Sequence, residues 1–401
     1  MRLTQFFTGV AAKQLRAVEA DTNTSNQHEF NGINLFRQIL GDRDRSFETV
    51  FLYLDDEGEP LSSHGHTTWY DSRRNQPRRS AEYRLYFPST EVSSLYTPGD
   101  LLIVAQRPDD TLLIIAAPAG SSVGDQLLWL FGLESPNGSS EVRHAAEIDR
   151  EVDYVVRWVL ESIGIEPPTP ETDTNLLLEQ FGRSMPNTRV FSDFAREQAV
   201  ACNPLDDPDH ALITWLESEE RYFRAFERLL LEERLRNGFI TDEDQVDVDG
   251  FIAFSLSVQN RRKSRAGYAL ENHLEHVFEA WQLRFDRGAT TEGKAKPDFL
   301  FPSRAAYLDA SFAANRLAIL GAKASCKDRW RQVLGEADRI HVKHLVTLEP
   351  SISVTQTEEM KSRNVQLVLP AGIHSSYSKN QQSWLWTVKG FIAHIRDLQQ
   401  P

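Results

Sequence analysis

A proline-rich break, Ile165-Glu166-Pro167-Pro168-Thr169-Pro170-Glu171-Thr172-Asp173-Thr174, divides this 401-residue chain into two stretches of different periodicity. Proline fixes φ and removes a backbone donor, so the run continues neither a helix nor a sheet. It reads as an extended linker or boundary loop. Before it, short apolar runs at 49–54, 83–87, 101–106 and 112–117 are separated by turn signals such as Asp55-Asp56-Glu57-Gly58 and Pro98-Gly99-Asp100. Short strands at that spacing predict a mainly-β barrel or pseudobarrel. After it, apolar residues recur at helical steps, as over 215–235, and an α/β stretch follows. The expected organisation is a first domain over 1–164, a linker over 165–180 and a second domain over 181–401, each long enough to bury a core.

Several function classes are excluded early. No apolar run approaches the ~20 residues of a membrane helix, and the start Met1-Arg2-Leu3-Thr4-Gln5-Phe6-Phe7 lacks the apolar centre of a signal peptide. The two cysteines, Cys202 and Cys326, are too few for a disulfide framework or a metal knuckle. A soluble cytoplasmic protein with reduced thiols is expected, with no membrane partner. The net charge of −14 is unevenly spread: acid gathers between 206 and 249, and base at 73–84 and 260–265. Basic clefts on an acidic body can still bind nucleic acid, with low non-specific affinity and steep salt dependence.

The chemistry concentrates between 297 and 336. Asp298 opens the apolar run Asp298-Phe299-Leu300-Phe301, and Lys323 closes Leu317-Ala318-Ile319-Leu320-Gly321-Ala322-Lys323. Both runs read as buried strands. The stretch from Lys327 reads as a helix with Trp330, Val333, Leu334 and Ala337 on one face, which sets Glu336 near its middle. Two strand ends and a helix can bring a carboxylate, an amine and a second carboxylate to one point. Such a set suits metal-assisted phosphodiester hydrolysis, where hard oxygens hold a divalent cation and a lysine orients water or stabilises developing charge. Upstream, Leu270, Leu274, Val277, Phe278 and Trp281 recur at helical spacing, and either Glu271 or Glu275 of that helix could face inward. The basic run Asn260-Arg261-Arg262-Lys263-Ser264-Arg265 precedes it and reads as a loop or helix start facing DNA, with Arg262 and Arg265 the preferred contacts.

The segments Asn260-Arg261-Arg262-Lys263-Ser264-Arg265-Ala266-Gly267, His273-Leu274-Glu275-His276, Thr291-Glu292-Gly293, Lys296-Pro297-Asp298-Phe299-Leu300-Phe301-Pro302 and Cys326-Lys327-Asp328-Arg329-Trp330-Arg331-Gln332 strongly resemble, in order and spacing, the catalytic domain of EcoRII-type restriction endonucleases. The resemblance runs from about residue 250 to about 350. It implies an α/β PD-(D/E)xK core with flanking helices whose last carboxylate has moved to a helix, in keeping with Gly321 standing two residues before Lys323. Carried over, Asp298, Lys323, Glu336 and Glu271 are the catalytic set, and Asp298, Glu336 and Glu271 the ligands of Mg2+. Lys327-Asp328-Arg329 would read G·C pairs, the basic residues donating to guanine and Asp328 accepting from cytosine. Asn260, Arg262 and Arg265 would be further DNA contacts.

A looser resemblance covers His28, Tyr70-Asp71-Ser72-Arg73 and Glu82-Tyr83-Arg84, and implies a B3-like pseudobarrel binding a second DNA copy through His28, Arg73, Glu82 and Arg84. His28 reads equally as a core histidine. The loop from Arg74 to Ala81 departs from that pattern, leaving open what this domain reads. The function implied is a type II restriction endonuclease, a homodimer cutting both strands of double-stranded DNA at a CCWGG-like site. Its first domain would bind effector DNA and be autoinhibitory, and a cognate cytosine methyltransferase would protect the host. Two alternatives stand beside it. One is a modification-dependent endonuclease, for which Trp69, Tyr70 and Tyr83 offer an aromatic cage; the other is a DNA-binding repressor with a dead nuclease core.

Overall fold

The computed structural model describes residues 1–20, 28–32, 34–76, 78–134, 141–144, 150–168, 171–240, 245–326 and 329–400. The chain forms two compact units. The first comprises Met1–Glu166 together with Pro350–Glu358 and Ser376–Ser378; the second comprises the remainder.

The first unit is built on eight strands: β1 (Gly9–Gln14), β2 (Glu29–Asn31), β3 (Arg45–Tyr53), β4 (Leu61–Asp71), β5 (Tyr83–Tyr86), β6 (Leu101–Gln106), β7 (Leu112–Ala117) and β8 (Glu141–His144). Their order is β2-β5-β4-β3-β7-β6-β1-β8, antiparallel except for the parallel β3–β7 pair. One core takes Phe30 from β2, Leu85 from β5, Trp69 from β4, Ile114 from β7, Val104 from β6 and Ala11 from β1. Strands from opposite parts of that order share a core only if the sheet curls, so the unit is a half-barrel. It stays open, with β2 and β8 at its two edges. The outer face of β1, β6 and β7 is covered by α1 (Ser122–Phe131) and α2 (Tyr154–Ser162), where Leu127, Phe131, Val156 and Leu160 meet Val10, Ile103 and Ile115. Strands covered on both faces must be apolar at every position, as Leu101–Gln106 and Leu112–Ala117 very nearly are.

A charge conflict is built into this unit. Asp56 accepts the first amides of α1, from Ser122 and Val123, both at 2.9 Å. Burial, reinforced by that neighbouring charge, pushes Asp125 up to about 6. The unfolded chain loses this proton near pH 4, so stability falls as pH rises from about 4 to about 6. Asp125→Asn is therefore expected to stabilise the protein at pH 7 by on the order of 1–2 kcal/mol, with no gain below pH 4. Thermal melting of both proteins across pH 4–8 checks this; a gain independent of pH would refute it.

The second unit opens with α3 (Thr174–Phe181), capped by Asp173, so the extended stretch expected over 165–180 already ends there in a helix. Next come α4 (Thr188–Glu197), α5 (Pro208–Asn237) and α6 (Val248–Ala280). Leu177, Phe191, Phe194, Phe223 and Phe226 pack α3, α4 and α5 into an aromatic-rich cluster. The basic run at 260–265 is neither a loop nor a helix start but lies inside the 33-residue α6. Arg, Lys and Gln propagate a helix well, and the helix starts where Asp247 caps the amide of Gly250 at 2.8 Å. Farther along, Phe278 sets its ring against the edges of Phe299 and Phe301, with centroids 5.2 and 5.6 Å away, docking α6 on a five-stranded sheet.

That sheet runs β13-β12-β11-β10-β9, made of β9 (Asp286–Arg287), β10 (Phe299–Phe301), β11 (Ala318–Ala322), β12 (Lys343–Val346) and β13 (Val365–Val368). β9, β10 and β11 pair antiparallel, whereas β11, β12 and β13 pair parallel. Between β11 and β12 the chain makes a 3-10 helix over Arg329–Gly335. Trp330, Val333 and Ala337 are buried as their spacing predicts, but the tighter turn ends early and Glu336 follows it. Among the described residues no helix is long and apolar enough to cross a membrane.

Candidate active site

Asp298 and Lys323 meet because β10 and β11 are antiparallel neighbours. The register sets Phe299 opposite Leu320, so the residue before β10 lies beside the residues ending β11. Asp298 Oδ2 accepts from the Ala322 amide and from Lys323 Nζ, both at 2.7 Å. Lys323 is held in turn, its own amide donating to Val346 O at 3.0 Å and extending the ladder to β12. Both side chains are 17% exposed, open enough to reach a ligand and dry enough for their charges to count.

Glu336 completes the group. Its Oε2 is buried with no hydrogen-bond partner, and burial together with the charge of Asp298 pushes it up to about 7. Lys343 fixes the turn that presents it, donating from a buried Nζ to the carbonyl oxygens of Glu336 and Ala337. Gly321 explains why this acid does not stand on the strand: a Cβ there would lie 2.5 Å from Val333 Cγ1. The position two before Lys323 is filled by the buried Val333, and the carboxylate arrives from the other end of the 3-10 turn.

The fourth carboxylate is engaged elsewhere. On α6, Glu271 and Glu275 both turn towards Arg287 of β9, whose guanidinium lies 2.8 Å from Glu271 Oε2 and 2.7 Å from Glu275 Oε2. The same guanidinium donates to Asn272 Oδ1 at 2.8 Å. Glu275 is also paired with Arg189 at 2.7 Å, which draws it towards α4. Glu271 is the one that senses the centre: burial raises it against the pull of Arg287, with Asp298 adding to the rise and Lys323 opposing it. Arg287 itself is anchored one strand from Asp298, opposite Phe299, and the Gly288 amide donates to Asp298 O at 3.0 Å. No sequence pattern singled Arg287 out; a two-residue strand gives no periodic signal.

Among the described residues, no three acidic, histidine or cysteine side chains gather as a ready cation site. The donor chemistry nevertheless fits a divalent ion at Asp298 and Glu336. Burial and then the charge of Asp298 raise the Glu336 carboxyl, and its Oε2 lacks any donor. Cys326 is buried and its thiol is pushed well above the ordinary range by burial, so it stays protonated beside this group.

The remaining candidates separate. Lys327 and Asp328 lie outside the described residues; Arg329 opens the 3-10 helix and is exposed. Asn260 is exposed on α6, while Arg262 pairs with the buried Glu227 at 2.6 Å. Arg265 is not a surface contact. It is 6% exposed, lies 4.6 and 4.9 Å over the rings of Phe191 and Phe223, and donates to Pro186 O. Its guanidinium serves helix packing.

In the first unit, Arg73, Glu82 and Arg84 form one ion-paired chain that continues to Glu29, with Arg84 2.9 Å from Glu82 and 2.7 Å from Glu29. His28, next to Glu29, is half-buried with its ring edge on Phe87. The proposed aromatic cage does not exist. Trp69 is fully buried, stacked on Tyr83 with centroids 5.0 Å apart, and its indole donates to Gly41 O at 2.9 Å. What faces outward instead is a hollow of about 470 Å³ with Arg45, Tyr70, Arg74 and Tyr86 in its lining.

Part of this chain is similar to known proteins. Residues 223–392 match the family described as EcoRII C terminal. Over 193 residues the chain is 46% identical to the type II restriction enzyme EcoRII of Escherichia coli, covering 48% of this chain and 46% of that enzyme. The chain thus spans less than half the length of that relative. Two solved structures align more distantly. Metal-depleted Ecl18kI in complex with uncleaved, modified DNA gives a TM-score of 0.45 at 19% identity, covering 56% of this chain and 83% of that one. A restriction endonuclease PspGI–substrate DNA complex gives 0.40 at 16% identity, covering 60% and 94%.

Proposed function

We propose that this chain is a type II restriction endonuclease that cuts both strands of DNA at a short G·C-flanked site of the CCWGG kind. The observation carrying the reading is the meeting of Asp298, Lys323 and Glu336 where the start of β10, the end of β11 and the end of the 3-10 helix converge, in the segment that is similar to EcoRII. The core is then of the PD-(D/E)xK type with its last acid displaced to Glu336. Asp298 and Glu336 would hold Mg2+, joined by Glu271 when Arg287 releases it. The ion, when bound, supplies water activation and charge neutralisation at the phosphate. Lys323 stabilises the negative charge that develops at the scissile group, and its short bond to Asp298 fixes where that charge is met.

Lys327, Asp328 and Arg329 are assigned to base reading, within a few residues of Lys323, with Asn260 and Arg262 contacting DNA nearby. The first unit is read as a B3-like effector-binding domain. His28, Arg73, Glu82 and Arg84, beside the basic and aromatic hollow of Arg45, Tyr70, Arg74 and Tyr86, support a nucleic-acid face there. In this reading the domain restrains cleavage until it holds effector DNA, the enzyme works as a homodimer in the cytoplasm, and a cytosine methyltransferase protects the host.

The test is Mg2+-dependent digestion of unmethylated plasmid and phage DNA, with sequencing of the fragment ends. Discrete fragments ending at one short motif are expected. Cutting confined to DNA carrying modified bases would replace this reading with the modification-dependent one. Specific binding without any cleavage would leave the repressor.

A further inference from the structure

Glu336 is followed by a residue in a strained conformation. Ala337 is fully buried and has a φ of 51°, in the left-handed region that residues with a Cβ rarely adopt. Relaxing it would re-aim the chain on either side, Glu336 included. Such a conformation persists only where the surroundings over-determine it.

One side of the turn is held by Lys343, through the carbonyl oxygens of Glu336 and Ala337. The other side is held by two residues from outside it. Tyr307, in the short helix Arg304–Leu308, is 1% exposed; its hydroxyl donates to Glu292 Oε1 and accepts from the Arg339 amide at 3.4 Å. The Glu292 carboxylate also accepts from the Asp338 amide. Arg339 closes the bracket, its guanidinium donating to the carbonyl oxygens of Tyr307, Asp309 and Phe312, the last two at 3.0 and 2.8 Å. Every residue from 336 to 339 is thus tied through its backbone. Glu292 is itself presented by a closed turn: the Thr291 amide donates to Ala295 O and the Ala295 amide to Glu292 O, both at 2.9 Å.

Tyr307 does two separable things. Its ring shares a core with Leu300 of β10, Ile319 of β11 and Ala337. One side chain therefore sets the turn relative to the strands that Asp298 opens and Lys323 closes. Packing needs only the ring, whereas the hydroxyl bonds serve the turn.

We propose that Glu292 and Tyr307 are positioning residues for Glu336: they lock the turn over 336–339 and so fix where its carboxylate stands relative to Asp298 and Lys323. This rests on the nuclease reading above, in which Glu336 helps to hold a divalent ion.

Mn2+ shares the preference of Mg2+ for oxygen ligands, and its free form is counted by paramagnetic resonance, so a Mn2+ titration of the full chain tests this without any cleavage. Tyr307→Phe and Glu292→Ala are each expected to raise the Mn2+ dissociation constant about 10-fold. Glu292→Gln keeps an acceptor and should fall between the wild type and Glu292→Ala. Adding Tyr307→Phe to Glu336→Gln should weaken binding no further than Glu336→Gln alone, since a bracket acts through the acid that it aims. Full additivity of those two changes overturns the proposal. So does Mn2+ affinity unchanged in Tyr307→Phe and Glu292→Ala while Glu336→Gln weakens it, and in that case the metal reading of Glu336 stands. Mn2+ affinity unchanged in Glu336→Gln sinks that metal reading, and the bracket with it.

Discussion

Lys323→Ala is expected to slow DNA cleavage by about 10³-fold while leaving specific DNA binding within a few-fold of the wild type. Lys323 Nζ stands 2.7 Å from Asp298 Oδ2, and its amide is locked in the ladder to Val346, so truncation removes the amine without moving the strand. Loss of one preorganised charge stabiliser costs on the order of 10²–10³ in rate. Here the same amine also balances Asp298 and eases Glu336, so the upper end is expected. Binding depends on other side chains and should survive. Gel shifts in Ca2+ beside single-turnover cleavage in Mg2+ separate the two quantities. A variant that cuts at the wild-type rate would remove Lys323 from the reaction.

Arg287→Ala carries the second large effect, and it falls on a residue that does not itself reach Asp298. The guanidinium holds Glu271, Glu275 and Asn272 at once. Its removal leaves two partly buried carboxylates on α6 with reduced compensation, and Glu271 loses its fixed direction. Residues that orient metal ligands from behind typically contribute 10–100-fold to activity or metal affinity. We expect a cleavage loss in that range together with a changed Mg2+ concentration for half-maximal rate. Arg287→Lys keeps the charge without the fork and should fall between the two. An unchanged Mg2+ requirement, with activity falling only as far as stability falls, would reduce Arg287 to a structural brace.

Much of the centre was legible because it hangs on short apolar runs. Phe299–Phe301 and Ala318–Ala322 are buried throughout, and the polar residues bounding such runs have nowhere to lie but at strand ends. The helical recurrence around 270–281 set Glu271 and Glu275 on one helix without choosing between them, the resemblance favoured Glu271, and the partners Arg189 and Arg287 left no local signal. What the sequence hid depended on partners distant along the chain. A cluster of arginines in α6 looks like a DNA-facing loop until Phe191 and Phe223 are seen beneath Arg265. Strand β4 reads as polar, Leu61-Ser62-Ser63-His64-Gly65-His66-Thr67-Thr68-Trp69, because only its end turns apolar weight into the half-barrel. Trp69 therefore looked available for a ligand when Tyr83 and Gly41 already claimed it. The grouping of 350–358 and 376–378 with the first unit left no local signal either.

The crowding between Gly321 and Val333 has a consequence for how this active site can be altered. The two positions behave as one coupled locus, since the space that a side chain at 321 would need is the space Val333 occupies. Mutational libraries that change a single residue at a time will not recover an acid on the strand, because each such variant meets the valine before it meets the substrate. Only a joint change, an acid at 321 with a smaller residue at 333, opens that route.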